Sequence, residues 1–199
     1  MNDSQKHFGE PKEGPKNKVK PFMVPWVIEF IQNSPFLVMS SSNQQGDCDA
    51  SPKGGKPGFV KVINDTTLLI PDVAGNKLFQ SYENFESNPK VSLMFLIPAI
   101  SAVARVNGTI EVIRKGEARF DALSSDVFNP DENSKLLQAI LVHVDESYSH
   151  CPRAIGFSKL WNTDTISRNQ QSSPISKWKP GTQLAKFTML LPLLGPRFY

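Results

Sequence analysis

The sequence predicts a mainly β (α+β) domain, a closed or nearly closed antiparallel barrel decorated by a few short helices. Three observations predict it. Short apolar runs with strand character fill the middle of the chain, and tight turns rich in Gly, Asn and Asp join them. Helical spacing surfaces only three times and never alternates regularly with strands, which argues against βαβ units. The 199 residues, 39% of them hydrophobic, suit one domain with a real core.

The elements follow in order. Residues 1 to 20 are rich in Lys, Gly and Pro and nearly devoid of apolar side chains, which predicts a disordered basic arm. Residues 21 to 164 form the predicted domain. Pro25 opens a helix whose apolar face is Trp26, Val27, Phe30 and Ile31, and Asn33-Ser34-Pro35 ends it. Strand runs follow at Phe36–Ser40, Asp49–Pro52, Gly58–Ile63 and Thr67–Ile70, the last two flanking a hairpin turn at Asn64-Asp65-Thr66. Leu78, Phe79, Tyr82 and Phe85 have helical spacing after Gly75-Asn76. Val91–Ile97 is almost wholly apolar and reads as a strand buried on both faces. Ala102–Ile113 is a longer strand with Arg105, Asn107 and Thr109 on one side, closed by a turn at Arg114-Lys115-Gly116. Leu136, Leu137, Ile140 and Leu141 then predict a third helix, capped near Asn133-Ser134. Residues 165 to 199 read as a polar linker and a tail whose apolar segment, Met189–Leu194, is too short and proline-broken to span a bilayer.

Charge excludes one class of function. The arm carries a net +2 and residues 165 to 199 a net +5, whereas 21 to 164 carry −4. A nucleic-acid module would hold its basic residues on the folded surface, so no nucleic-acid partner is expected. No apolar run approaches the length of a membrane span and the N-terminus lacks a signal-type apolar region, so no membrane partner is expected either. The two cysteines, Cys48 and Cys151, form no CxxC pair, which predicts a reducing, cytoplasmic setting.

Three features could together hold an anion. Ser51-Pro52-Lys53-Gly54-Gly55 ends a strand with a hydroxyl, an ammonium and glycines. Asp72–Lys77 ends another strand and opens a helix, whose free N–H groups suit a phosphate beside Lys77. Arg105 lies on a third strand. If these are neighbours, two lysines, an arginine and a helix start converge on one phosphate. Other chemistry is poorly represented. His7, His143 and His150 have no metal-ligand spacing and there is no HExxH, so no metal site is expected. Cys151 reads as a small buried cysteine, since its neighbour His150 would point to the opposite face of a strand. His150 is a candidate for the substrate side.

With those residues in place, the chain resembles the pyridoxamine 5'-phosphate oxidase-like, FMN-binding split-barrel family from about Phe36 to Trp161. The resemblance rests on Ala50-Ser51-Pro52-Lys53-Gly54-Gly55 with Pro57-Gly58-Phe59-Val60, Leu68-Leu69-Ile70-Pro71-Asp72, and Gly75-Asn76-Lys77. It continues through Asn88-Pro89-Lys90-Val91, Phe95-Leu96-Ile97-Pro98, Arg105-Val106-Asn107-Gly108, His150-Cys151-Pro152-Arg153-Ala154 and Lys159-Leu160-Trp161. It implies a homodimer of split barrels with FMN in clefts at the interface. Ser51 and Lys53 would meet the phosphate from one strand, and Asn76 and Lys77 from the next helix start. Ile70, Pro71 and Asp72 would lie along the flavin edge, Arg105 near the ring system, and Trp161 would join the cofactor set.

Two departures shape the expected activity. Val103 stands where the family's pyridoxamine oxidases often carry glutamine, and their C-terminal arginine- and histidine-containing motif is not recognisable. The resemblance therefore implies an FMN-dependent oxidoreductase acting on a small molecule, without naming pyridoxamine phosphate as the substrate. The alternatives are a flavin-binding module without turnover, a carrier or stress-linked sensor, and a relative that binds haem or deazaflavin. The paired lysines favour a terminal phosphate over haem, whose iron would want an axial histidine.

Overall fold

The computed structural model describes residues 2–75, 77–123 and 135–172. The chain divides into two compact units, Met1–Ser158 and Lys159–Tyr199. The first unit opens with two short helices, α1 (Asp3–Phe8) and α2 (Glu13–Asn17). They lie within the arm expected to be disordered. Asn2 and Gln5 form a reciprocal capping box that supplies α1 with its own hydrogen bonds, although neither helix buries a residue. Next come α3 (Pro25–Asn33), β1 (Phe36–Ser42), β2 (Cys48–Gly54), β3 (Lys61–Asn64) and β4 (Thr67–Val73). They are followed by α4 (Gln80–Ser87), β5 (Lys90–Leu96), β6 (Val103–Arg114), α5 (Ala118–Leu123), β7 (Leu136–His150) and α6 (Arg153–Ser158).

The seven strands make one antiparallel sheet in the order β2-β1-β5-β6-β7-β4-β3. The fold is thus mainly β with a few short helices. Met39, Leu93, Val106, Ile70 and Ile140 meet on one face, where α3 adds Val27, Phe30 and Ile31 to the main core. A smaller core packs Leu69, Ile113, Ala139 and Leu141 of β4, β6 and β7 with Phe120 of α5. β5 departs from the expected two-sided burial. Val91, Leu93 and Phe95 face the core, while Ser92 is half-buried and Met94 is exposed.

The segment 136–150 is the largest correction, because it is β7 and not a helix. Its stripe Leu136, Leu137, Ile140, Leu141 fits a helical period, but Ala139–Val142 is also a continuous apolar run. Such a run cannot be assigned by period alone. Pairing decides it: β7 lies between β4 and β6, with Ile140 opposite both Ile70 and Val112. The suggested cap at Asn133-Ser134 lies outside the described residues. His143 consequently stands on a strand, exposed, opposite Thr67 and Thr109.

In the second unit, residues to Ser172 are described. They contain α7 (Thr163–Gln171), where Asn162 Oδ1 accepts from the Thr165 N–H at 2.9 Å. Helix α7 runs into the segment expected as a polar linker from residue 165. The apolar tail 189–194 lies outside the described residues. Among the described residues, no helix is long and apolar enough to cross a membrane.

Candidate functional site

Two cavities among the described residues of the first unit share residues of β2. The smaller, about 270 Å³, is lined by β2 from Asp49 to Lys53, the end of β4 and the residues leading into α4. The larger, about 620 Å³, is lined by β1, the start of β2, β5 and β6. Asp49 and Ala50 border both.

The small cavity gathers most of the residues expected to bind an anion. Ser51, Lys53, Asp72 and Lys77 all line it. Lys53 is not free, however. Its Nζ lies 3.0 Å from Asp72 Oδ1, and the two side chains are only 19% and 8% exposed. Gln138 Nε2 donates to the other Asp72 oxygen at 3.1 Å, so the carboxylate is held from both sides. Lys77 is exposed and has no ion-pair partner among the described residues. It does not stand in the first turn of a helix as expected. Lys77 (φ 63°) and Phe79 (φ 51°) take left-handed backbone, and α4 starts only at Gln80. The first turn of α4, with Gln80, Ser81 and Tyr82, still borders the cavity. Asn76 lies outside the described residues.

Helix α4 is fixed over β1 and β2 by side-chain hydrogen bonds. Ser81 Oγ donates to Asp49 Oδ2, Asn84 Nδ2 to Ser41 Oγ at 3.0 Å, and Asn88 Nδ2 to Ser42 Oγ at 3.3 Å. These bonds hold the mouth of the small cavity in place. Its inner wall is Tyr82, whose ring lies 5.8 Å from Lys53 Nζ. The Tyr82 hydroxyl is buried close to Asp72 and Gln138, and no described residue meets it at strict hydrogen-bond geometry. Burial first, and then the nearby Asp72 charge, push this phenol far above its ordinary range.

Arg105 is not part of that cluster. It lines the large cavity with Asn107, Ser40, Ser42 and Ser92, so the expected convergence of three cationic elements on one phosphate is corrected. Arg105 is β6's register partner of Tyr148, and its guanidinium lies 5.2 Å from that ring. Lys90 also borders this cavity but is engaged by Asp145 Oδ2 at 2.8 Å, and its hydrogen bond holds the Asp145 carboxyl below the usual range.

The remaining expected residues are dispersed. The Ile70 side chain is wholly buried in the main core and Pro71 is buried opposite Ala139, so neither side chain lines a cavity. His150 ends β7 opposite Val103, exposed, and lines neither cavity. Cys151 is an exposed free thiol, against the expectation of a buried one, because the strand ends one residue earlier. Trp161 stands in the second unit, immediately before the cap of α7. Among the described residues, no group of three His, Cys, Asp or Glu could hold a metal ion. Tyr82, Asp49, Gln138 and Asn107 are site residues that sequence reasoning missed. Tyr82 reads as core in a helical stripe, and nothing local marks Gln138 as a partner of Asp72.

A family model for pyridoxamine 5'-phosphate oxidase matches residues 24–151, from the residue before α3 to just past β7. The chain belongs to the pyridoxamine 5'-phosphate oxidase family. No curated protein matches it. Among solved structures, a Lactobacillus delbrueckii protein provisionally named pyridoxamine 5'-phosphate oxidase aligns with a TM-score of 0.50 at 17% identity, over 66% of this chain and 98% of its own. An FMN-binding protein from Syntrophomonas wolfei gives 0.48 at 14% identity, over 63% and 87%. HupZ of Group A Streptococcus gives 0.46 at 16%, over 64% and 93%. At such identities the likeness is one of fold.

Proposed function

We propose that this member of the pyridoxamine 5'-phosphate oxidase family is an FMN-binding flavoprotein that acts as an oxidoreductase on a small molecule. The carrying observation is the small cavity, where Lys77, without an ion-pair partner among the described residues, shares the lining with the first turn of α4 and with Ser51 and Lys53 of β2. That donor set fits a phosphate: a free cation, a hydroxyl and a helix start. A cavity of about 270 Å³ is smaller than a usual cofactor pocket of roughly 300–1,000 Å³, so it fits the phosphate end and not a whole flavin. FMN, when bound, supplies hydride and single-electron chemistry, while the protein supplies binding, orientation and electrostatics. Lys77 would neutralise the phosphate, the Asp72–Gln138 pair would hold Lys53 at the cavity wall, and α4 would keep the mouth in register.

A homodimer completes the reading. Val38, Met94, Pro52 and Arg105 are register neighbours across four strands on the sheet face away from the main core, and Met94 is 37% exposed. A second copy would cover that partly apolar face. Two exposed, unpaired cysteines favour a reducing, cytoplasmic setting.

The test is a flavin titration followed by fluorescence quenching, with FMN and riboflavin side by side. Two or more charge-assisted hydrogen bonds to phosphate predict a preference for FMN of about a hundredfold or more. Equal affinity for the two would refute the assignment. Consumption of reduced nicotinamide nucleotide by the FMN-loaded protein, with candidate acceptors, then separates an oxidoreductase from a flavin carrier.

A further inference from the structure

Among the described residues, the large cavity holds one buried acceptor without a donor, and beside it a guanidinium with only a weak acceptor. Ala50, Ser40, Ser92, Asn107 and Glu146 are register partners in one row across β2, β1, β5, β6 and β7. Asn107 Nδ2 donates to Glu146 Oε1 at 2.6 Å. This bond fixes the orientation of the amide, because turning it over would set its oxygen against a carboxylate oxygen. Asn107 Oδ1 is therefore the acceptor left over, and it is buried without a partner among the described residues. A buried acceptor left unsatisfied costs about 1–3 kcal/mol, so a donor is expected to meet it in some state of the molecule.

Arg105 supplies the complementary gap. It stands two residues earlier on the same face of β6, half-buried. Its guanidinium packs on Tyr148, and Nη2 reaches Ser92 Oγ only at 3.5 Å, a weak contact. Because Ser92 is the register partner of Asn107, the guanidinium leans towards the Asn107 row. No carboxylate pairs with it among the described residues. The acids lining the cavity are already engaged, Asp49 by Ser81 and Asp145 by Lys90 and Thr109. Among the described residues, one cation thus has only a weak hydroxyl acceptor and no anionic partner, and one amide oxygen beside it lacks a donor.

We propose that this cavity reads an amide edge, with Arg105 donating to a ligand C=O and Asn107 Oδ1 accepting from the adjacent ligand N–H. The chemical class is a planar group that presents an acceptor next to a donor: a cyclic imide, a lactam or a primary carboxamide. The weak Arg105–Ser92 contact is exchanged for the ligand carbonyl as the buried amide oxygen gains its donor. Two sources have this chemistry. One is the pyrimidinedione edge of a flavin, which rests on the function proposed above. The other is the carboxamide of a nicotinamide nucleotide, which does not.

The experiment uses the full chain and two pairs of probes. FMN is compared with 3-methyl-FMN, which lacks the imide N–H, and nicotinamide mononucleotide with nicotinic acid mononucleotide, which replaces the amide by a carboxylate. Loss of one buried hydrogen bond predicts about a tenfold preference for the N–H-bearing member of one pair. That preference falls below about threefold in Asn107→Leu, a variant that removes the orphaned acceptor without leaving a void. Arg105→Gln weakens both members of the same pair. Preference within the FMN pair assigns the edge to the flavin, and preference within the nucleotide pair assigns it to the reductant or substrate. Wild-type protein that favours neither N–H-bearing probe, or that prefers the carboxylate, overturns the proposal. If FMN itself fails to bind, the flavoprotein reading falls and the nucleotide pair still decides this one. Should Asn107→Leu fail to fold, the wild-type preferences remain decisive.

Discussion

Lys53 Nζ and Asp72 Oδ1, 3.0 Å apart, join the first strand of the sheet to the sixth. Five strand spacings of about 4.8 Å would put β2 and β4 roughly 24 Å apart in a flat sheet. The contact therefore requires the sheet to curl until its ends face each other, although no backbone ladder joins β2 to β3 among the described residues. Helix α4 lies beside the gap, bonded to β1 and β2. The small cavity is lined from both sides of that junction, with the Lys53–Asp72 pair in its wall.

Asp72→Asn is expected to lower stability while strengthening anion binding. Breaking a buried pair strands the remaining charge at a cost of about 3–5 kcal/mol, and the partial exposure of Lys53 places this case near the lower end. The unneutralised ammonium then adds to the attraction for a phosphate. Urea denaturation and an FMN titration on the same sample check both signs. Unchanged stability, or weaker FMN binding, would contradict the role given to the pair.

Lys77→Ala is expected to weaken FMN binding by roughly 1.5–3 kcal/mol, and Lys56→Ala by under about 0.5. Both remove one charge, but Lys77 lines the small cavity and Lys56 is an exposed turn residue outside it. Titrations at one salt concentration compare them. Equal losses would place the phosphate elsewhere.

Tyr82→Phe is expected to flatten the alkaline limb of the stability profile. The phenol's pKa is raised by burial and by Asp72, so the folded state holds its proton more tightly than the unfolded chain. The stabilisation is fully present below the unfolded value of about 10 and is lost as pH rises from there towards the folded value. The wild-type minus variant difference in urea midpoint, followed from pH 8 to 11, isolates this residue from other titrating groups.

Gly108→Ala is expected to destabilise by roughly 2–4 kcal/mol. A Cβ there would lie 2.3 Å from the His143 carbonyl oxygen, at the register shift between Asn107 and Gly108 where β6 presses against β7. Gly116→Ala meets nothing within 4 Å and costs only the strain of a positive φ, about 1 kcal/mol. Thermal or urea unfolding of the pair shows whether the close approach holds. Similar losses would mean that β6 and β7 can part there.

The sequence by itself determined α3, the strand runs of β1, β5 and β6, and the turn between β3 and β4. It also carried the family, through short motifs in a fixed order. These features are local: a proline at a helix start, an alternation of period two, a turn peptide. What the tertiary structure decided is non-local. The run 136–150 became a strand because β4 and β6 offer it backbone partners on both sides, and no window of sequence contains those partners. Curling of the sheet brought Asp72 to Lys53, which turned an expected free cation into half of an ion pair. The inward pleat of β4 put Ile70 into the core, and the placing of β6 in the sheet set Arg105 in a different cavity from Lys77. Side-chain identity tells which charges a chain owns. Which of them remain unpaired depends on strand order and curl, and those are fixed only when all seven strands compete for the same neighbours.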